Sequence, residues 1–361
     1  MADPLFFFGA GASASFGIPT MKQMVPLFKE ELTDKTDADT LQEVDLYRAV
    51  EDFLAKDFDR VDLEAVFSVI DGVAGGLTPK DLGYLPTFFV RRAKDPTLLD
   101  PPPDTVRNSA RRLLGKFEDF IQRMCWVNRD QTAKITETYV ALFSQVFAVM
   151  GGLTSSIRYK GSHYSFSPEW EMFTTNYDNV LETFWRDGIR QLPLNTIFSH
   201  DDRASMQVFA PNRIFEQNLK LVKLHGSVTW WLEDGTDIIV EMEQPPSEYG
   251  AKKFTGQVLV YPIQQKDTFV PPFLDMFYAL KEGLRSHQRW LVVGYSFADD
   301  MIRSLFARSS TASTILVLVH PDEGVATKIK GEPGWKGQIR QILTKFGEPP
   351  TSTAAAQALT G

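Results

Sequence analysis

Short apolar runs and segments of helical periodicity alternate near the start of the chain. Residues 5–8 form a continuous apolar run that ends at Gly9, a pattern typical of a buried parallel strand. Residues 18–32 then carry apolar side chains at helical spacing. Pro19 is placed in the first turn of that predicted helix, where a missing N–H group has no cost. The pattern therefore predicts a strand, a glycine turn and a helix.

The same alternation returns beyond Pro168. Compact apolar runs rich in Val, Ile and Leu predict strands at residues 170–174, 221–224, 258–261, 290–293 and 315–319. Helices are predicted at residues 180–188, 272–286 and 299–308. Short apolar strands that alternate with helices indicate a parallel sheet covered on both faces. We therefore predict an α/β fold, a Rossmann-like doubly wound parallel sheet.

The stretch between these two parts has a different pattern. Apolar residues recur at helical spacing in residues 41–54, 61–73, 106–127 and 132–150. Residues 96–104, which include three consecutive prolines, are predicted to be irregular. This pattern indicates a large helical insertion domain in the α/β fold.

The predicted domain organisation follows from these changes of pattern. Residues 1–34 and 168–330 form the Rossmann-like domain, residues 35–167 the helical insertion, and residues 331–361 a C-terminal helix and tail. The small, Ala-rich residues 347–361 are expected to be a mobile tail, with a docking arm for a neighbouring subunit as the alternative.

Composition narrows the class of protein. The 361 residues are 43% hydrophobic and 12% aromatic, which is typical of a well-filled globular core. The net charge of -8 argues against a dedicated nucleic-acid binder, so no direct nucleic-acid binding is expected.

The single cysteine, Cys125, excludes an internal disulfide and a cysteine zinc site, and it favours a reducing compartment. The N-terminal apolar run is too short to span a bilayer, and we expect a cytoplasmic protein without a membrane contact or a metal.

The first candidate for chemistry is the glycine turn. Gly9, Gly11 and Ala14 fit the spacing G-x-G-x-x-G/A, in which glycines let the backbone approach a pyrophosphate at a helix N-terminus. A tight turn without a ligand could use the same glycines. A dehydrogenase would place an acidic residue about 20 positions later, after a second strand. Residues 29–34 instead resemble a helix end, which disfavours hydride transfer.

Polar side chains follow two of the predicted strands. Asn176 and Asp178 come after strand 170–174, where an amide and a carboxylate could hold a ribose. The alternative is that Asp178 caps the next helix and Asn176 makes a turn. His225 follows strand 221–224 and could accept a proton near neutral pH, whereas a structural histidine is the alternative.

The last two predicted strands also end in candidate residues. Gly294 and Ser296 again give a strand, a glycine turn and a helix, in partial likeness to the hydrolase pattern G-x-S-x-G, but Ala298 replaces its last glycine. Ser296 is therefore expected to offer its hydroxyl or N–H group to a phosphate or ribose. His320, after strand 315–319, is predicted to close the adenosine end of the site.

These strings, in this order, resemble the sirtuin superfamily over roughly half of the chain. The matching strings are Gly9-Ala10-Gly11-Ala12-Ser13 with Gly17-Ile18-Pro19, then Thr174, Asn176 and Asp178, then His225-Gly226, then Gly294 and Ser296. The combination is more specific than any single motif.

Departures from that pattern suggest a subclass. The four zinc-binding cysteines of the family's protein deacetylases are missing, Thr20-Met21-Lys22 replaces the family's Asp-Phe-Arg, and Thr175 replaces its glutamine. The Pro271-Pro272-Phe273 segment and residues 294–299 resemble the bacterial antiphage branch, whose members hydrolyse NAD. The presence of a helical insertion is a further similarity to members of that branch.

The resemblance implies an NAD⁺ hydrolase that uses NAD as its substrate and acts in antiphage defence by depleting NAD. It implies that Asn176, His225 and Asp178 are catalytic. It implies that the nucleotide is held by Gly9, Ala10, Gly11, Ser13, Pro19, Thr20, Thr175, Gly294, Ser296 and His320. Implied partners are copies of the chain itself and a hexameric helicase-like ATPase or a short Argonaute.

Two other functions stay open at this point. An NAD-dependent protein deacylase would share the first chemical step but needs an acylated peptide. A non-catalytic sensor or scaffold that binds NAD or ADP-ribose would keep the glycine turn without needing Asn176 and His225 together. We expect the helical insertion to mediate self-association or to gate the site.

Overall fold

The computed structural model describes most of the chain, as two compact units. The described residues are 3–33, 38–57, 63–74, 104–151, 154–189, 193–201, 206–216, 218–242, 254–259, 272–349 and 351–360. The first unit, called the sheet unit here, consists of Met1–Ile18, Cys125–Val260 and Asp267–Gly361. The second, the helical unit, consists of Pro19–Met124 and Tyr261–Lys266.

The described residues contain both strands and helices. The strands are β1 (Leu5–Phe8), β2 (Ser155–Tyr159), β3 (Ser162–Phe166), β4 (Glu171–Thr174), β5 (Phe198–Asp201), β6 (Met206–Phe209), β7 (Lys220–Lys223), β8 (Gly226–Glu233), β9 (Ile239–Glu241), β10 (Phe254–Leu259), β11 (Arg289–Val293), β12 (Ile315–Val319) and β13 (Gln338–Ile342). The α-helices are α1 (Ala10–Ser13), α2 (Met21–Thr33), α3 (Ala38–Asp57), α4 (Leu63–Ala74), α5 (Asp104–Cys125), α6 (Thr132–Met150), α7 (Val180–Glu182), α8 (Phe273–Ser286), α9 (Asp300–Ser309), α10 (Gly324–Lys330) and α11 (Thr351–Thr360). Short 3₁₀-helices span Ala14–Phe16, Arg129–Gln131 and Pro211–Phe215, and a π-helix spans Thr183–Ile189.

A parallel sheet forms the centre of the sheet unit. Its six strands follow the order β13-β12-β11-β1-β4-β7, and every neighbouring pair is parallel. From β1 the chain moves outward to β4 and β7 and then crosses back to β11 on the other side of β1. The strand order therefore reverses at β1, as in a doubly wound fold, and the predicted fold class is confirmed.

Alternate residues of β1 face opposite sides of this sheet. The rings of Phe6 and Phe8 lie 5.2 Å and 5.8 Å from those of Phe143 and Tyr139 on α6. The ring of Phe7 instead lies 5.2 Å from Phe306 on α9. Because helices cover both faces, β1 is apolar at every position. Burial of each phenylalanine side chain contributes about 1.5–3 kcal/mol to the free energy of folding.

The compact units divide the chain differently from the predicted domains. Helix α6 was expected in the helical insertion, but it belongs to the sheet unit because Tyr139 and Phe143 pack against β1. Helix α2 was expected in the Rossmann-like domain, but it belongs to the helical unit. That helix begins at Met21, so Pro19 precedes it and does not occupy its first turn.

The C-terminal part of the chain is ordered within the sheet unit. Strand β13 pairs with β12 and extends the parallel sheet beyond the predicted boundary at residue 330. Helix α11 packs along α6, and its last carbonyls accept hydrogen bonds from two arginines: Arg289 Nε to Leu359 at 2.8 Å and Arg340 Nη1 to Ala358 at 2.7 Å. Residues 351–360 are therefore a docked helix, and the expectation of a mobile tail was wrong.

A second sheet was missed by the sequence analysis. Its five antiparallel strands have the order β10-β8-β9-β6-β5, and β2 and β3 form a separate hairpin. The predicted strand 258–261 was assigned to the parallel sheet, but its described residues end β10, which pairs antiparallel with β8. Residues 260–261 of that strand and residues 96–103 of the predicted irregular stretch lie outside the described residues.

The helical unit has its own aromatic core. The ring of Phe28 on α2 lies within 5.8 Å of the rings of Phe67, Phe117 and Phe120 from α4 and α5. None of the helices in the described part of the chain is both long and apolar enough to cross a membrane.

Candidate functional site

The strand ends of the parallel sheet lie in register at one edge. Phe8 of β1 pairs with Thr174 of β4 and with Val293 of β11. Thr174 pairs in turn with Lys223 of β7, and Val293 with Val319 of β12. The segments that begin at Gly9, Thr175, Leu224, Gly294 and His320 therefore all leave the sheet at its carboxyl edge. The edge next to β1, where the strand order reverses, is where open α/β sheets bind ligands.

The glycine turn packs directly against the turn after β11. The Gly11 N–H group donates to the Gly294 carbonyl at 2.9 Å. A Cβ atom on Gly9 would lie 2.6 Å from Cα of Tyr295, and one on Gly11 would lie 2.8 Å from Cα of Gly294. Gly294 has a φ of +67°, and its Cβ would lie 2.2 Å from the Ala12 nitrogen. The close approach of two backbones thus requires all three glycines, independently of any ligand.

The glycine turn contains a short helix that the sequence did not predict, and the predicted helix 18–32 follows it as α2. Ala10 and Ser13 bound the one-turn helix α1, a 3₁₀ turn follows, and Gly17 ends it with a φ of +87°. Thr20 lies in the helical unit, where its backbone N–H group donates to the Gln23 side chain at 2.8 Å at the start of α2. This gives Thr20 a role in capping α2, and the predicted nucleotide contacts of Pro19 and Thr20 stay predictions.

Asn176 is fixed against the glycine turn. Its Nδ2 donates to the Gly9 carbonyl at 3.0 Å and to the Ser13 hydroxyl at 3.1 Å. Its backbone N–H group donates to Thr174 Oγ1 at 3.0 Å, and that hydroxyl donates to the Phe8 carbonyl at 2.9 Å. The ends of β1 and β4 are therefore joined by a polar network in which the amide is the central group.

Asp178 continues the network beneath Asn176. Its carboxylate is hydrogen-bonded to Ser13 and accepts from the N–H group of Val180, the first residue of α7, at 3.1 Å. Burial raises the pKa of the Asp178 carboxyl, while the Lys223 ammonium opposes the shift. The Ser13 hydroxyl can thus accept from Asn176 and donate to Asp178, which uses both of its hydrogen-bonding functions.

Lys223 and Glu182 support this loop from below and were missed by the sequence analysis. Lys223 Nζ pairs with Glu182 Oε1 at 2.8 Å, with side-chain exposures of 3% and 1%. The same ammonium donates to the backbone carbonyls of Tyr177 and Asp178. A charged residue inside the apolar run 221–224 was the available signal, since a buried charge needs a partner.

His225 lies in a separate aromatic environment at the same edge. Its residue exposure is 4%, and its ring centroid lies 6.4 Å from Tyr177 and 6.5 Å from Phe277. Its Nε2 lies 3.5 Å from Oδ2 of Asp299, a residue that the sequence analysis missed. Gly226 has a φ of +83°, and its Cβ would lie 2.0 Å from the Val258 carbonyl oxygen, so the second residue of the His-Gly pair is required by β10.

The remaining predicted residues lie at the edge in less specific contacts. The Thr175 N–H group donates to the Phe8 carbonyl at 3.3 Å, and Ser296 is half-buried in the turn after β11. The Asp322 N–H group donates to Nδ1 of His320 at 3.1 Å, and burial lowers the pKa of that imidazole. His320 therefore stabilises the turn after β12.

A small recess lies within this network. Its lining side chains are Phe8, Ser13, Tyr139, Thr174, Asn176, Asp178, Leu181 and Glu182. The structure thus brings Asn176, Asp178 and Ser13 together, whereas His225 is held with Asp299. Among the described residues, no group of three or more His, Cys, Asp or Glu side chains is placed to hold a metal ion.

Comparison with known proteins identifies a related domain. Residues 171–329 match the family described as the SIR2-like domain, a span of less than half of the chain that includes Asn176, His225 and Gly294. No curated protein sequence matches the chain significantly.

Several solved structures resemble the chain at low similarity. A mutant Sir2 homologue in complex with ADP-ribose is 13% identical, covers 98% of this chain and 90% of its own, and has a TM-score of 0.43. A Sir2 enzyme analysed for mechanism and regulation is 11% identical, covers 99% of this chain and 91% of its own, and has a TM-score of 0.42. A Sir2 homologue in complex with NAD is 13% identical, covers 98% of this chain and 88% of its own, and has a TM-score of 0.40.

Proposed function

We propose that this protein is an NAD⁺ hydrolase that cleaves the nicotinamide–ribose bond to release nicotinamide and ADP-ribose. The observation that carries the proposal is the network at the strand-order reversal, where Asn176 bonds to Gly9 and Ser13 of the glycine turn. The match of residues 171–329 to the SIR2-like domain supports it.

The proposed reaction uses an amide, a carboxylate and an imidazole. Water attacks C1′ of the ribose, the C1′–N bond breaks, and its electron pair neutralises the nicotinamide ring. Asn176 would orient the ribose and the water, and Asp178 would accept from ribose hydroxyls. His225 would take the proton that the water loses, directly or through a ribose hydroxyl. A positioned base contributes about 10²–10⁴-fold to such a step.

The burial of His225 places one requirement on this proposal. With a residue exposure of 4%, the imidazole is covered in part by Tyr177 and Phe277. Substrate binding must therefore uncover the ring. Tyr177 lies between Asn176 and Asp178 in sequence, so movement of this one loop would change access to all three proposed catalytic groups.

Restraint of the enzyme is part of the proposal, since unrestrained hydrolysis would exhaust a cofactor that many enzymes share. We propose antiphage defence as the setting, with self-association or a helicase-like ATPase or short Argonaute partner as the control. Light scattering combined with activity measurements tests self-association. A monomer with full, concentration-independent activity contradicts it.

Nicotinamide release from NAD by the purified protein tests the activity. Asn176→Ala and His225→Ala are each expected to lower turnover by about 10²–10⁴-fold without loss of folding. His163→Ala, on the exposed hairpin strand β3, is the matched control and is expected to keep full activity. Release that requires an acylated peptide would identify a deacylase, and ADP-ribose binding without release would identify a sensor.

A further inference from the structure

We propose that Asp299 is the positioning residue of His225, an inference that rests on the proposed NAD hydrolysis. Oδ2 of Asp299 lies 3.5 Å from Nε2 of His225, and the two side chains are 12% and 5% exposed. A base oriented by a third group is a general requirement for efficient proton transfer. Asp299 supplies that group from the turn after β11, on the other side of β1 from His225.

The orientation of the Asp299 carboxylate is fixed by its other oxygen. Oδ1 accepts from the N–H groups of Met301 at 2.9 Å and Ile302 at 3.2 Å, so Asp299 is the N-cap of α9. An N-cap needs only one acceptor oxygen. The second oxygen faces His225, and the cap holds it there.

The turn that presents Asp299 is itself strained and rigidly packed. Phe297 has a φ of +51°, which is unfavourable for a residue with a side chain. Its ring lies 5.0 Å from that of Tyr295 and 5.2 Å from that of Phe306. Its carbonyl accepts from Arg303 Nη1 at 3.0 Å. Strain that the surroundings maintain is characteristic of functional turns, and this turn carries Asp299.

The carboxylate has two effects on the imidazole. An Nε2–H group directed towards the Asp299 carboxylate leaves Nδ1 as the acceptor nitrogen of the neutral ring, which selects one tautomer. When Nδ1 takes the proton from water, the negative charge of the Asp299 carboxylate stabilises the imidazolium. The aromatic neighbours Tyr177 and Phe277 lower the local dielectric constant, so this attraction is stronger than it would be in water.

The neighbouring residue offers a matched control. Asp300 is 86% exposed at its side chain and pairs with Arg303 at 2.9 Å. Asp300→Asn removes the same charge one position along the chain without touching His225. Asp299→Asn keeps an acceptor oxygen for the cap, since asparagine is a good N-cap residue, and removes only the charge that faces the imidazole.

The experiment compares these two variants in the full-length protein. Nicotinamide release gives kcat and KM, and ring ¹⁵N chemical shifts of His225 give its tautomer. For Asp299→Asn we expect kcat to fall by about 10²–10⁴-fold, KM to change by less than about threefold, and the Nε2–H tautomer to lose its dominance. Asp300→Asn is expected to keep the wild-type kcat and tautomer.

Failure of the inference is distinguishable from failure of the proposed function. If Asp299→Asn keeps kcat within about twofold while His225→Ala is inactive, Asp299 is only a helix cap and the inference is overturned. If the wild-type protein releases no nicotinamide, the proposed function fails. The NMR spectra still decide the positioning role in that case. An Nδ1–H tautomer of His225 in the wild type overturns it, and so does a His225 tautomer that is unchanged between the wild type and Asp299→Asn.

Discussion

Asn176 and Ser13 are joined by a hydrogen bond of 3.1 Å, from Nδ2 of the amide to the hydroxyl oxygen, across the ends of two neighbouring strands. The same hydroxyl bonds to the buried carboxylate of Asp178. The serine of the glycine turn therefore connects two of the three proposed catalytic side chains. Its removal affects both at once.

Ser13→Ala is expected to lower the free energy of unfolding by about 1–3 kcal/mol, because it leaves the buried Asp178 carboxylate without its hydroxyl donor. Nicotinamide release should fall as well, since the amide loses one of its two fixed acceptors. Chemical denaturation and the nicotinamide assay measure the two effects.

Ser15→Ala is the matched control for this change. The Ser15 hydroxyl is buried and has no hydrogen-bond partner among the described residues. Its removal should leave stability unchanged or slightly raised. Equal losses for Ser13→Ala and Ser15→Ala would show that the network around Asn176 contributes nothing specific.

Gly294→Ala is expected to destabilise the sheet unit by more than the cost of placing a non-glycine residue at a positive φ. The new Cβ would lie 2.2 Å from the Ala12 nitrogen, and a φ of +67° adds its own cost. Gly17→Ala separates the two causes, because Gly17 has a φ of +87° and open space around the Cβ position. The backbone term is about 1–2 kcal/mol, so Gly17→Ala should lose that amount and Gly294→Ala considerably more.

Urea unfolding of the two glycine variants measures this difference. Similar losses would mean that the two turns can separate without cost. In that case the glycine spacing would not be explained by the packing of Gly11 against Gly294.

The sequence predicted which strand ends meet at the carboxyl edge of the sheet better than it predicted the side chains that contact the candidate residues there. The apolar runs that end at Gly9, Thr174 and Val293 are buried on both faces, so their ends could be located, and parallel strands bring such ends to one edge. Motifs that follow those strands were therefore placed together. The pairing of His225 with Asp299 could not be predicted, because both residues lie in turns whose meeting depends on strand order.

The glycines and the second sheet show a different limit. Gly9 and Gly11 fit a nucleotide pattern, yet the structure uses them for contact with Gly294, and the spacing alone does not distinguish the two uses. Strands β8 and β10 pair through a ladder with register shifts. Strand β8 does alternate in polarity, with Val228 and Trp230 on one face and Thr229 on the other, so its sequence held a strand signal that the analysis of apolar runs passed over.

Lys223→Met is expected to destabilise the sheet unit by about 3–5 kcal/mol, because it leaves the Glu182 carboxylate buried and unpaired. The double variant Lys223→Met/Glu182→Gln should recover part of that loss, which a double-mutant cycle in urea detects. Arg285→Met is the control for an exposed pair, since Arg285 and Glu282 are 59% and 46% exposed. It should change stability by less than about 0.5 kcal/mol. Additive effects of the two buried substitutions would contradict the pairing.

Glu118 gives the helical unit a dependence of stability on pH. Burial raises the pKa of this carboxyl to about 7, and the nearby carboxylates of Asp119 and Asp71 add to the shift. A carboxyl whose pKa is higher in the folded than in the unfolded state binds more protons when folded. Its stabilising contribution is therefore complete below about pH 4, the unfolded value, and is lost as the pH rises to about 7.

Glu118→Gln should remove this dependence, because the amide is neutral at every pH. We expect the stability of Glu118→Gln relative to the wild type to increase as the pH rises from about 4 to about 7, in urea titrations at a series of pH values. Asp119→Asn provides a second check, since loss of the neighbouring charge should move the midpoint of the Glu118 carboxyl titration, followed by NMR, to lower pH. A stability difference that stays constant over this interval, with no midpoint shift in Asp119→Asn, would mean that the folded chain leaves Glu118 in contact with water and that α5 packs differently around it.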